Sequence, residues 1–161
     1  MDIHRIKIYT SYFYQIRFMT RNMIPLSTCV GDPKWFHKGT YNKNIQFKDK
    51  NGVWNGLRAE IFMPGEECEG LCRGREVCNA YSPKTCAFLK AYRRQLDKLN
   101  FNEVLNRFQK LGEQIQKVEG FTEEPVYVLI VHEAHDNPCS ERWVIQDWFR
   151  DNGYDIKEFN K

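Results

Sequence analysis

The chain has no apolar run long enough to span a bilayer, which excludes a helical membrane anchor within it. It has no glycine-rich phosphate loop of the G-x-x-x-x-G-K-[ST] type, so nothing in it points to a P-loop nucleotidase. It has no internal repeat and no low-complexity stretch, which removes solenoids and linkers. The opening MDIHRIKIYT alternates apolar with charged residues and lacks the basic-then-apolar order of an export signal. The expectation is therefore a cytoplasmic protein in a reducing compartment. Its six cysteines are then poor candidates for disulfides and better ones for metal binding or chemistry.

What is present fits one globular domain. The 161 residues are 42% hydrophobic and 28% charged, enough to build a core and too apolar for disorder. Aromatics reach 14%, which supplies core packing and flat faces for stacking. The net charge of +3 permits an anionic partner without demanding one. Lys34, Lys38, Lys43, Lys48 and Lys50 cluster in one segment, either a solvated loop or a nucleic-acid footprint.

Hydrophobic periodicity orders the elements. Residues 3–9 alternate and predict a strand. Tyr12, Ile16 and Met19 then predict a short helix over about 11–22. MIPLSTCV at 23–30 reads as a second strand, with Pro25 near its start. Residues 31–65 are irregular. Ser82-Pro83 suits a helix start, after which Phe88, Leu89, Tyr92, Leu96 and Leu99 recur at helical spacing. Asn100 and Glu103 predict the cap of a further helix ending at Gly120. VYVLIV at 126–131 has no alternation and predicts a strand buried on both faces, as in parallel sheets. A helix from Pro138, with Trp143, Val144, Trp148 and Phe149 inward, stops at Asn152-Gly153, and YDIKEF makes a last short strand. The order predicts a single α/β domain over 1–161, a parallel-type sheet with helices on both faces and a cysteine-rich insertion at about 66–86.

Ligands of such sheets bind beyond the carboxyl ends of the strands. That places Thr10-Ser11-Tyr12, Cys29 to Trp35 and His132 to Arg142 at one edge. With Asn137 as cap, Cys139 falls in the first helical turn, where unpaired N–H groups and Arg142 favour thiolate. Glu133 is a candidate base, and Cys139, Glu133 and Arg142 form the candidate catalytic set. An inert cysteine at an ordinary helix start is the plainer alternative. His132 and His135 offer two metal ligands without a third in register.

Cys68, Cys72, Cys78 and Cys86 are spaced C-x3-C-x5-C-x7-C. Four thiolates within so short a segment can close a tetrahedral zinc site, or alternatively hold an iron–sulfur cluster. The stretch has few large apolar residues, so an external staple makes physical sense.

Three stretches, IYTSYF at 8–13, PLSTCVGDPKWF at 25–36 and VYVLIVHEAHDNPCSERWVIQDWF at 126–149, resemble the bacterial and phage family of unknown function numbered 488. The family's commoner Cys-His-Arg at the last helix is here Cys139-Ser140-Glu141-Arg142, with the His missing and the Arg displaced by one. The cysteine insertion is not part of that family's general core. The resemblance implies an α/β fold and a shared pocket but no reaction. Carried over by motif, Ser11, Tyr12, Lys34, Trp35, Glu133 and Cys139 are the positions to watch. Lys34 and Trp35 offer a cation and a stacking face to a nucleotide, or Trp35 belongs to the core. The functional expectation is a small enzyme-like domain whose strand-end pocket takes an anionic nucleotide or nucleic-acid-derived ligand. The alternative is a metal-stapled module that binds nucleic acid or protein without catalysis.

Overall fold

A computed structural model describes residues 6–37, 47–49, 51–71 and 85–161. Its centre is a four-stranded sheet of β1 (Lys7–Tyr12), β2 (Met23–Ser27), β5 (Val126–Val131) and β6 (Lys157–Glu158), in the order β2-β5-β1-β6. All pairings are parallel, with Lys7 opposite Val126 and Tyr12 opposite Val131, so the α/β expectation holds. A small antiparallel pair, β3 (Phe47–Lys48) and β4 (Trp54–Asn55), stands apart.

The unbroken apolar run of β5 is explained by its place. It pairs on both edges, and Tyr127 to Val131 are all buried. Pro25 lies in the middle of β2 rather than at its start, which is tolerated because β2 is an edge strand. Beyond Ser27 that edge is covered by residues 57–59, whose backbone bonds Ser27 through Leu57 and Ala59.

Three α-helices cover one face: α1 (Ala87–Asp97), α2 (Phe101–Glu119) and α3 (Glu141–Asp151). Their apolar stripes meet Ile8, Leu26, Leu129 and Val131 of the sheet. The Asn100 side chain accepts from the Glu103 N–H, and Gly120 closes α2 at φ 70°, as the spacing predicts. The α1 cap is Cys86; Ser82-Pro83 lies outside the described residues.

The opposite face carries a smaller core of Phe13, Ile16, Met19, Phe36 and Val53 against Val128 and Ile130. Here the predicted helix over about 11–22 is shorter and tighter. Ser11 and Tyr12 complete β1, and Phe13–Phe18 forms a 3-10 segment. Phe13, Ile16 and Met19, three residues apart, suit three residues per turn, and FYQIRF holds few strong helix formers. So both faces are covered, but all the described α-helices lie on one of them. Among the described residues no helix is long and apolar enough to cross a membrane.

Candidate functional site

The chain leaves β1 toward the 3-10 face, where Phe13 is buried, and leaves β5 toward α3 on the helical face. Divergence of this kind opens a crevice at the carboxyl edge of a parallel sheet. The three expected segments do meet there. The Thr28 N–H donates to the Ile130 carbonyl at 3.0 Å, the His132 ring bonds the Gly31 carbonyl and packs on Phe13, and His135 stacks on Tyr12.

Helix α3 starts later than its sequence suggests. Ser140 is the cap, accepting from the Arg142 N–H at 3.2 Å, and Glu141 is the first helical residue. Cys139 therefore precedes the cap. Its own N–H donates to Asn137 Oδ1 at 2.9 Å, so the expected placement of the thiol in the first turn is corrected. Both side chains accept from the N–H two residues on, but Asn137 belongs to a separate turn, its own N–H donating to the Ala134 carbonyl, and the helix begins only after Ser140.

Arg142 is likewise not turned toward a ligand. It is fully buried, with Nε donating to Glu158 Oε1 at 3.0 Å and its terminal nitrogens to the Glu133 and Ala134 carbonyls. It ties the β5 exit loop to β6 and sets where Glu133 stands. Thr10 donates to the same Glu158 oxygen at 2.7 Å and accepts from Gln146 Nε2 at 2.7 Å. Burial pushes the Glu158 carboxyl up against the pull of Thr10 and Arg142. Its Oε2 is buried without a hydrogen-bond partner among the described residues.

The most reactive pairing is one the sequence reading passed over. Glu141 stands beside Glu133 at the start of α3. Burial, and then the Glu133 carboxylate, push Glu141 up to about 8, against the helix-start N–H and Arg142. A neighbouring carboxyl and burial make ionisation of Glu141 costly, so Glu141 keeps its proton toward neutral pH. It can donate at one oxygen and accept at another. The i, i+8 spacing across a loop gave no periodic signal for this.

Cys29, hidden in an apolar run, lies beside the pair. Burial first, then Glu141, Asp32 and Glu133, push its thiol far above the ordinary range. It stays protonated, with Sγ 3.8 Å from the Ile130 carbonyl. Next to it the Ser27 hydroxyl bonds Asp32. Arg58 lies 3.4 Å from the Asp32 carboxylate and donates to the Cys29 and Val30 carbonyls at 3.1 Å.

The residues carried over by motif divide in two. Ser11 is buried and donates to the Phe159 carbonyl at 2.6 Å, and the Tyr12 hydroxyl lies 3.4 Å from Asn160 Oδ1, so both hold residues 159–160 against the sheet edge. Lys34 is exposed, and Trp35 is 45% exposed, edge-on to Phe13 and Phe36, so Trp35 is not a core residue. Of the other basic residues in that segment, Lys48 pairs with Glu119, while Lys38, Lys43 and Lys50 lie outside the described residues.

Two of the four insertion cysteines are described. Cys68 is buried with Sγ 3.7 Å from Gln95 Oε1, and burial raises its thiol. Cys86 is buried at the α1 cap. Cys72 and Cys78 lie outside the described residues. Among the described residues no group of three or more His, Cys, Asp or Glu could hold a metal ion. His132 and His135 turn to different neighbours, Phe13 and Tyr12.

Comparison with family models, curated proteins and solved structures finds no match to this chain.

Proposed function

We propose that the carboxyl edge of the sheet is the ligand-handling edge of an enzyme-like domain, with the Glu133–Glu141 pair as its acid–base element. The observation that carries this is the placing of the two carboxyls beside one another where β5 passes into α3. A carboxyl raised to about 8, as Glu141 is, delivers and removes protons near neutral pH, which an ordinary surface glutamate does not. Cys29 is a neutral neighbour rather than a nucleophile. Arg142 positions Glu133 through its backbone carbonyl. The ligand class we favour is a nucleotide or a nucleic-acid fragment, with Lys34 for its negative charge and Trp35 for its base. Kinship with the family numbered 488 is part of this proposal, supported by the matched motifs falling on β1, β2, β5 and α3. A cytoplasmic setting, which keeps thiols reduced, accords with it.

Thermal shift with nucleosides, nucleotides and phosphorylated metabolites tests the reading. A rise in melting temperature for one of these, lost in Glu141→Gln, supports it. Absence of any shift across the panel overturns it.

The zinc staple is a separate proposal, supported by the close spacing of the four cysteines in sequence and by the burial of Cys68 and Cys86 in the main core. Metal analysis of anaerobically purified protein is expected to give one zinc per chain, lost in Cys72→Ser. Iron with sulfide would replace zinc by a cluster, and no metal would end the proposal.

A further inference from the structure

Beyond the carboxyl pair, the same edge bears a strip of planar groups that the core does not need. Tyr14 is 50% exposed, Phe18 42% and Trp35 45%. Tyr12 stacks on Tyr14 at 6.4 Å between ring centroids and on His135 at 6.1 Å. Phe18 lies against Tyr14 at 5.9 Å. The Arg17 guanidinium lies 3.8 Å over the Tyr14 ring and is fixed there by Nε donating to the Tyr14 carbonyl at 3.0 Å. Gln15 in turn bonds the Tyr12 hydroxyl at 3.2 Å and Asn160 at 3.0 Å, which holds the strip in place.

Core packing does not account for this arrangement. Buried rings serve the hydrophobic effect, but half-exposed rings in series leave faces in water at a cost. Among residues 12–18 the exposed side chains are Tyr14, Arg17 and Phe18, aromatic and cationic with no aliphatic one. Here an arginine is laid flat on a ring, and an exposed lysine, Lys34, adjoins Trp35. Every nucleic-acid base has a face that stacks on an aromatic ring or a guanidinium plane, and the linking phosphates require cations beside the rings.

We propose that the Tyr12–Tyr14–Arg17 strip with Lys34 and Trp35 is a binding surface for single-stranded nucleic acid, the unpaired bases stacking on the planar groups and the phosphates meeting Arg17 and Lys34. A duplex is excluded because its bases are already stacked on one another. This deepens the nucleic-acid reading of the site but uses none of its acid–base chemistry, so the two can fail separately.

The test is fluorescence anisotropy of a labelled oligothymidylate of about twelve nucleotides, with a duplex of the same length and poly-glutamate as competitors. Binding is expected for the single strand only. Two phosphate contacts give a slope of about −1.4 in log affinity against log salt. Tyr14→Ala and Trp35→Ala are each expected to weaken binding roughly five- to a hundredfold, the effect of losing one stacked base. Tyr14→Phe, which keeps the ring, is expected to bind as the wild type does. Unchanged melting curves and circular dichroism in the alanine variants separate lost contact from lost fold, and loss of binding in a misfolded Trp35→Ala is replaced by the Tyr14 pair as the deciding result. Equal affinity for duplex or poly-glutamate, indifference to ring removal, or no binding at low salt overturns the proposal. The nucleotide thermal shift on Glu141→Gln is scored apart, so its failure strikes the acid–base site and leaves the strip standing.

Discussion

One face of the sheet lies under three α-helices whose stripes interlock with it. The other lies under a 3-10 segment, a loop and a short hairpin. The helical face closes Trp148, Phe149, Phe62 and Tyr92 into one core with little exposed aromatic surface, whereas the second face buries Phe13 and Phe36 but leaves Trp35 and Tyr14 half in water. The difference is one of geometry. An α-helix presents a continuous stripe that can be wholly covered, and a six-residue 3-10 segment has no length to hide all its rings. Aromatic burial is thus concentrated on one face, and the exposed aromatic surface lies on the other.

The comparison breaks most directly at its two cores. Trp148→Ala is expected to cost about 3–5 kcal/mol, and Phe36→Ala toward the lower end of that range, because a loop face collapses more readily around a void. Urea denaturation of both variants measures this, and equal losses would show the two faces to be equally rigid. The seam between strand ends and α3 comes next. Arg142→Met leaves Glu158 buried without its cation and two carbonyls without donors, an expected loss of about 3–5 kcal/mol. Exposed pairs such as Arg93 with Asp97 and Asp151 are worth under about 1 kcal/mol, so Arg93→Ala is the control.

A smaller effect separates the helical face from an ordinary helix. Gly112 lies in the middle of α2, where alanine normally stabilises by about 1 kcal/mol. A Cβ there would collide with the Tyr127 hydroxyl and stand 3.1 Å from Pro125 Cβ. Gly112→Ala is therefore expected to destabilise by about 1–3 kcal/mol, and Tyr127→Phe to relieve part of it in the double variant. A stabilised Gly112→Ala would show that the α2–β5 packing gives way easily.

The last effect is a slope rather than a loss. Glu141 holds its proton more tightly folded than unfolded, up to about 8. Between the ordinary carboxylate range and 8 the folded state binds more protons, so stability falls as pH rises through that window. Glu141→Gln removes the slope, as denaturation at a series of pH values would reveal. A slope that survives the substitution would mean that Glu158, whose carboxyl burial also raises, carries it.

How much of this could be read beforehand follows the same division. The stripe of α2, its Asn100 cap and the apolar run of β5 were all visible, because each is local and periodic. The start of α3 was not, since Asn137 and Ser140 are both cap-forming residues three apart in sequence, and the observed start goes with the burial of Arg142 against Glu158. The convergence at the carboxyl edge was legible from topology rules alone. The Glu133–Glu141 pair and the burial of Cys29 were not, because both depend on where a loop returns in space. Arg142 read as a catalytic partner of Cys139 for the same reason: sequence shows a charge but not the partner, Glu158, that already neutralises it.

The strand order has a consequence in time as well as in space. β1 and β2 are made first but do not pair with each other, because β5 lies between them. As the chain emerges during synthesis, its first two strands have no sheet partner until residues 126–131 arrive. The central sheet therefore closes late, over long sequence separations, which makes for slow folding. Until then the apolar strands 7–12 and 23–27 stand open to the wrong neighbours, and the yield of folded chain rests on how they are shielded in that interval.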